Sequence, residues 1–254
     1  MPLPDPGWML VSLRPRGGHG ALRRAAARHG GGLVALSPWT LQDLDDPATR
    51  TALQQALAAD AVVFTSPAAV RAAARLQRLG DIAACAVGSG TAAALRRAGV
   101  NDVQRPRRMD SEGLLALPRL AAAGARRIGL VTAPGGRGAL QPALEGRGIV
   151  VVRADVYARV PVPLASRSIQ ALEGETRPTV LALTSGEALQ RVLGHLPERA
   201  RDALLRAEVV AASARLAAAA RQAGFSAIRV ARSPRPADLV AAACERGGDR
   251  IPVA

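Results

Sequence analysis

Gly148–Pro163 reads GIVVVRADVYARVPVP. β-Branched residues dominate it, Tyr157 sits in its second half, and it closes on Pro161 and Pro163. Such residues pack well on a pleated surface, and proline lacks the N–H that a sheet ladder needs. The stretch therefore predicts a strand leaving one compact unit for another. Tyr157 is the one tyrosine of the chain. Its phenol has two readings: packing against a neighbour on a half-buried strand, or facing a cleft between two units.

Working outward, the first half alternates strand and helix signals. Trp8–Leu13 reads as a short apolar strand, followed by a turn at Arg14–Gly18 and a helix over Ala21–His29 that Gly30–Gly32 ends. Leu33–Leu41 reads as one returning strand, with Pro38 at an edge or crossing position. Ala61–Thr65 is a continuous apolar run, the pattern of a parallel strand covered on both faces. Ser66-Pro67 then opens a helix. Ala83–Val87 is a strand, Gly88–Thr91 a tight turn, and Thr91 the expected cap of a helix over Ala92–Ala98. A capped amphipathic helix is expected within Met109–Ala123, starting near Asp110 or Ser111. Arg127–Thr132 is a strand that leads through the glycine-rich loop Pro134–Gly138 into a helix ending at Leu144.

Beyond the central stretch the same grammar returns. Val180–Thr184 leads into Ser185-Gly186 and a helix, Val209–Ala212 into Ser213–Arg215 and a helix, and Ile228–Ala231 into the last helix at Ala237–Glu245. The tail from Arg246 reads as loose. VVFTSPAAV at 62–70 is similar to VLALTSGEAL at 180–189, and AVGSGTAAALRRAGV at 86–100 to VAASARLAAAARQAGF at 210–225, in the same order. The chain thus reads as α/β, with two similar parallel-sheet domains flanked by helices and joined by a two-strand hinge. The first β-α unit lacks partners before residue 60, so it belongs with the second half. Domain 1 is expected to be discontinuous, at 1–36 and 162–254, with domain 2 inserted at 42–155. Residues 37–41 and 156–161 are the expected connector strands.

Composition narrows the function classes. The net charge is +14, carried by arginine with no lysine, and it favours an acidic partner. The arginines are dispersed and aromatics are 2% of residues, too few for base stacking, which argues against nucleic acid. No apolar run reaches the ~20 residues that span a bilayer, so no membrane partner is expected. Nor is there a basic n-region, so no signal peptide is expected. Cys85 and Cys244 lie far apart and fit no metal spacing, which suggests a reduced, cytoplasmic setting. Gly88-Ser89-Gly90 lacks the third glycine of a dinucleotide fingerprint, and a P-loop needs a lysine. His19, His29 and His195 are isolated; the first two flank a helix and read as solvated. Asp155 reads as exposed or arginine-paired.

Chemistry in open α/β sheets gathers at the C-terminal ends of the strands. Hydroxyls stand there at Thr65-Ser66, Ser89, Thr91, Ser185 and Ser213, and Gly88 and Gly135–Gly138 free backbone amides for an anion. Each hydroxyl can equally be a helix cap. If these loops face one cleft, the ligand carries several anionic groups.

Taken together, FTSPAAV at 64–70, AVGSGTAAALRRAGV at 86–100, SEGLLAL at 111–117, GLVTAPGGRGALQPALEGRGIVVVRADVYAR at 129–159, LALTSGEAL at 181–189 and ASARLAAAARQAGF at 212–225 resemble the uroporphyrinogen-III synthase family. The resemblance implies a lyase that cyclises hydroxymethylbilane with loss of water, inverting ring D through a spiro intermediate. It implies no metal, no cofactor and a monomer. It assigns Tyr157 to departure of the hydroxyl. It places Arg14, Thr65, Ser66, Gly88, Ser89, Thr91, Gly135, Gly136, Arg137 and Ser185 at the substrate. Leu216-Ala217 stands where many relatives have a Thr-Ala pair, which leaves Ser213 or Arg215 for that side. Leu13-Arg14-Pro15 stands where Thr-Arg-Pro is common; Arg14 either reaches a substrate carboxylate or is a solvated turn residue. A non-catalytic hinged module that binds a tetrapyrrole or polyanion is the alternative, with a nucleotide-binding enzyme third.

Overall fold

Strand β1 (Trp8–Ser12) is wholly buried, and α1 (Gly20–Ala27) returns the chain to β2 (Gly31–Ala35) beside it. The fold is seen here in a computed structural model that describes residues 6–106, 111–120, 126–135 and 140–245. After β3 (Trp39–Asp43) come α2 (Pro47–Leu57), β4 (Ala61–Phe64), α3 (Pro67–Leu76), β5 (Ala84–Ala86), α4 (Ser89–Arg97) and β6 (Val103–Gln104). The chain continues through α5 (Ser111–Leu115), a 3-10 turn at Pro118–Leu120, β7 (Arg127–Thr132), α6 (Leu140–Glu145), β8 (Val150–Asp155) and β9 (Tyr157–Pro161). The last part holds α7 (Ser166–Glu173), β10 (Thr179–Leu183), α8 (Gly186–His195), α9 (Glu198–Leu205), β11 (Glu208–Ala211), α10 (Ala214–Gln222), β12 (Ile228–Val230) and α11 (Pro236–Cys244).

Contacts divide the chain into two units, Met1–Thr40 with Pro161–Ala254, and Leu41–Val160. The first holds a sheet in the order β12-β11-β10-β1-β2, the second a sheet in the order β6-β5-β4-β7-β8. Both are parallel throughout. The orders correspond strand for strand: β1-α1-β2 occupies the place in its sheet that β7-α6-β8 occupies in the other. The first unit is thus a circular permutation of the second, with its closing β-α-β moved to the front of the chain. β3 and β9, the two crossing segments, pair as a two-stranded sheet of their own.

Strand alternation builds the cores. In the second unit Val62 and Phe64 face a cluster with Leu53, Ala69, Val70, Ala92 and Leu95, while Ala61 and Val63 face Leu114, Leu120, Leu140 and Leu144. Trp8, Leu10, Val180 and Ala182 meet α1 and α11 in the first unit. Aromatics are scarce, so close helix–sheet approach replaces bulk. A Cβ added at Gly129 in β7 would lie 2.0 Å from the Ala56 carbonyl oxygen of α2.

Several sequence expectations change. Leu33–Leu41 is not one strand: β2 ends at Ala35 and β3 begins at Trp39, because Pro38 interrupts the ladder. The central stretch is likewise two strands that break at Val156, where the backbone N–H turns to the Thr132 carbonyl and the carbonyl accepts from Leu44 N–H. Thr91 does not cap α4: the helix begins at Ser89 and Gly88 holds the cap position. His19 is not solvated but 6% exposed. Within Met109–Ala123 the described residues form α5 and a 3-10 turn. The tail from Arg246 lies outside the described residues. Asp155 takes the arginine-paired option, with Arg153 at 2.9 Å. Among the described residues, no helix is long and apolar enough to cross a membrane.

Candidate functional site

In each sheet the strand order reverses direction of growth between two neighbours, β4 and β7 in the second unit and β10 and β1 in the first. The C-terminal ends of such neighbours bound the crevice where open α/β sheets take ligands. At the first of these places Thr65, just past β4, donates its hydroxyl to Thr132 Oγ1 at the end of β7, at 2.8 Å. Ser66 follows with extended backbone and accepts the Ala69 N–H at 3.0 Å, which caps α3 ahead of Pro67. The same Ser66 Oγ lies 3.1 Å from the Tyr157 hydroxyl. Tyr157 is 4% exposed, its ring packed in the core cluster with Phe64 and Val131. The sequence left packing and function as alternatives; the ring packs and the hydroxyl is held by a cap serine.

Either hydroxyl can donate in that pair. Ser66 Oγ accepts an amide hydrogen with one lone pair, and its own hydrogen can go to the Tyr157 oxygen. In that state the phenolic O–H is left to donate to a ligand, with its oxygen fixed in place.

The remaining candidates divide. Gly88 is extended and α4 has no side-chain cap, while Thr91 is 2% exposed in its first turn. Gly135 has φ +69°, a conformation glycine adopts at no steric cost; Gly136 and Arg137 lie outside the described residues. In the first unit Ser185 caps α8 through Ala188 N–H at 3.2 Å, and Ser213 caps α10 through Leu216 N–H at 3.4 Å. Leu216 holds the third helical position of α10, as Thr91 does in α4, and is buried. Ser213 thus takes up an N-terminal amide of α10, whereas α4 has no side-chain cap. Arg215 is exposed, and Ser89 opens α4 half-buried. Arg14 is half-buried after β1, has no hydrogen bond or ion pair among the described residues, and burial lowers its pKa from the ordinary value.

Sequence reasoning missed His19 and its two serines. The imidazole sits between Ser12 Oγ at 2.9 Å and Ser37 Oγ at 2.8 Å. Burial, then the charges of Arg23 and Arg14, push its pKa down to about 4. The folded state therefore favours the neutral ring. Stability is full above the unfolded value near 6.5 and is lost as pH falls toward 4. We expect about 2 kcal/mol of loss between about pH 7 and pH 5, at ~1.4 kcal/mol per pKa unit. Denaturant titrations of wild type and His19→Asn across that range check it, since the variant's slope is expected to be flatter.

With this geometry in place, comparison identifies relatives. The family model described as uroporphyrinogen-III synthase HemD matches residues 20–241. The chain belongs to the uroporphyrinogen-III synthase family. The synthase of Salmonella typhimurium (strain LT2) is 36% identical over 149 residues, and that of Escherichia coli (strain K12) 32%. Each alignment takes in 58% of this chain and 60% of the relative's own length. Among solved structures, a mutant synthase from the extremely thermophilic bacterium Thermus thermophilus superposes with a TM-score of 0.60 at 20% identity, covering 92% of this chain and 96% of that one. The synthase of Helicobacter pylori 26695 gives 0.60 at 15% identity, covering 92% and 97%. These likenesses establish the α/β fold of the synthases for this chain.

Proposed function

We propose that the chain is a uroporphyrinogen-III synthase: a lyase that closes hydroxymethylbilane to uroporphyrinogen III with loss of water and inversion of ring D. The observation that carries this reading is the chain Ala69 N–H, Ser66 Oγ, Tyr157 hydroxyl at the β4–β7 crevice of a member of that family. In this reading the phenol donates its proton to the departing hydroxyl. The C–O bond breaks with electron push from the pyrrole nitrogen, and water leaves. The methylene carbon so freed bonds to the substituted α-carbon of ring D as a spiro centre. The older bond at that carbon breaks, and ring D rebonds through its free α-carbon. The proton released when the closed ring regains aromaticity returns to the phenolate. Net, one water is lost and no electron is gained. No stronger acid is needed, because the substrate ionises and closes on its own; the residues must chiefly hold it in the folded geometry.

Thr91, Gly88, Ser89 and Gly135 in one unit, and Arg14, Ser185, Ser213 and Arg215 in the other, bind the substrate's acetates and propionates, as Gly136 and Arg137 do in the family pattern. Arg14 supports this best, since a half-buried guanidinium without a partner among the described residues gains most from a carboxylate. Arg14→Gln is expected to raise KM about tenfold with kcat within about twofold, on the scale of one charge-assisted hydrogen bond. Steady-state kinetics with fresh hydroxymethylbilane check it, and a fall in kcat alone contradicts a binding role. We read the protein as a monomer, since each unit completes its own sheet. We place it in the cytoplasm, where the free thiols of Cys85 and Cys244 stay reduced. Consumption of hydroxymethylbilane no faster than its spontaneous closure contradicts the enzyme.

A further inference from the structure

The first unit contains a cavity of about 570 Å³ that none of the substrate-binding candidates above lines. Its walls come from four separate places: the turn after β1, the start of α1, the segment after β2, and the start of α7. They bring together Arg16, Arg23, Arg167, His19, Ser37 and Ser168. Among the described residues no carboxylate lines it, and the side chains of Arg16, Arg23 and Arg167 have no ion pair or hydrogen bond there.

We propose that this cavity is a binding site for a multiply charged oxyanion, a phosphate or a cluster of carboxylates. Three guanidiniums drawn from elements far apart in sequence converge on one space of ligand size. Guanidiniums suit such groups because their planar forks match oxyanion geometry. The backbone adds to the field. α1 and α7 both begin at this cavity, at Gly20 and just after Ala165, and neither N-terminus carries a side-chain cap. Their first-turn amides and dipoles favour the same charge sign as the arginines. His19 completes the wall as a donor-acceptor relay. If its Nε2 donates to Ser37, the Ser37 hydrogen is left for the ligand. The depressed proton affinity of His19, caused after burial by Arg23 and Arg14, reports the positive potential at this wall. An anion here neutralises a field that no carboxylate among the described residues of the lining compensates.

The inference concerns equilibrium binding and stands whether or not hydroxymethylbilane is turned over. It is tested on the full chain by thermal unfolding and calorimetry with sodium pyrophosphate and with propane-1,2,3-tricarboxylate, each against sodium chloride at equal ionic strength. At least one of them is expected to raise the Tm in a concentration-dependent way. The double variant Arg16→Ala/Arg167→Ala is expected to weaken that binding at least tenfold. Arg201→Ala, an exposed arginine of α9 outside the cavity, is expected to leave it within about twofold. A response to pyrophosphate alone assigns a free phosphate ligand. A response to the tricarboxylate alone assigns an organic polycarboxylate, and a response to both assigns the shared oxyanion chemistry. No shift beyond chloride, or equal loss in Arg201→Ala, overturns the site.

Discussion

Tyr157→Phe is expected to slow formation of the inverted isomer by about 10- to 100-fold, toward the low end of what a positioned proton donor contributes. The reaction has a spontaneous route, so loss of the donor lowers the rate without abolishing it. Unreacted substrate then has longer to ionise and close spontaneously without inversion, and the share of the uninverted isomer rises. The fold should tolerate the change. The ring stays in its cluster with Phe64 and Val131, and one hydrogen bond to Ser66 is lost, about 1 kcal/mol. Ser66 keeps the Ala69 amide, so α3 stays capped. Kinetics and thermal unfolding on the same preparation separate the two effects. Unchanged turnover in a folded variant removes the phenol from the chemistry.

Gly129→Ala carries the largest expected cost to stability. The added methyl meets the Ala56 carbonyl oxygen at 2.0 Å, with the Ala56 carbonyl carbon at 2.7 Å. Backbone atoms cannot rotate away as a side chain does, so α2 must lift from β7 or the strand must shift. Overpacking of this kind costs about 3 kcal/mol or more. Gly194→Ala in α8 is the matched control, since an added Cβ there meets nothing within 4 Å. It is expected to be neutral or stabilising by up to about 1 kcal/mol. Urea titration of both variants distinguishes a local clash from a general intolerance of alanine. Equal midpoints for the two contradict the close-approach account.

The two similar parallel-sheet units were legible because their signals are local. Ser-Pro at 66–67 and Thr-Ser at 184–185 mark helix starts after apolar runs, and their recurrence in order exposes the two units. Helix α2 was overlooked although Asp46-Pro47 announces it: Asp46 accepts the Thr49 N–H, and proline takes the first turn. Its apolar face is alanine-rich, which weakens the periodic signal. Thr91 was misread as a cap because an extended glycine can hold that position without a side chain. The burial of His19 is not local at all. It depends on Ser12 and Ser37, which the parallel pairing of β1 with β2 brings to the same edge of the sheet. Hydroxyls at strand ends were readable as candidates. Which of them serve as caps, and which reach the tyrosine, depends on backbone geometry that residue types do not encode.

The most direct measurement supplies freshly made hydroxymethylbilane to the purified chain, oxidises the products and separates the porphyrin isomers by chromatography. Isomer III in clear excess over isomer I, formed faster than in buffer alone, is the expected result. Isomer I alone, at the uncatalysed rate and with folded protein, contradicts ring-inverting cyclisation.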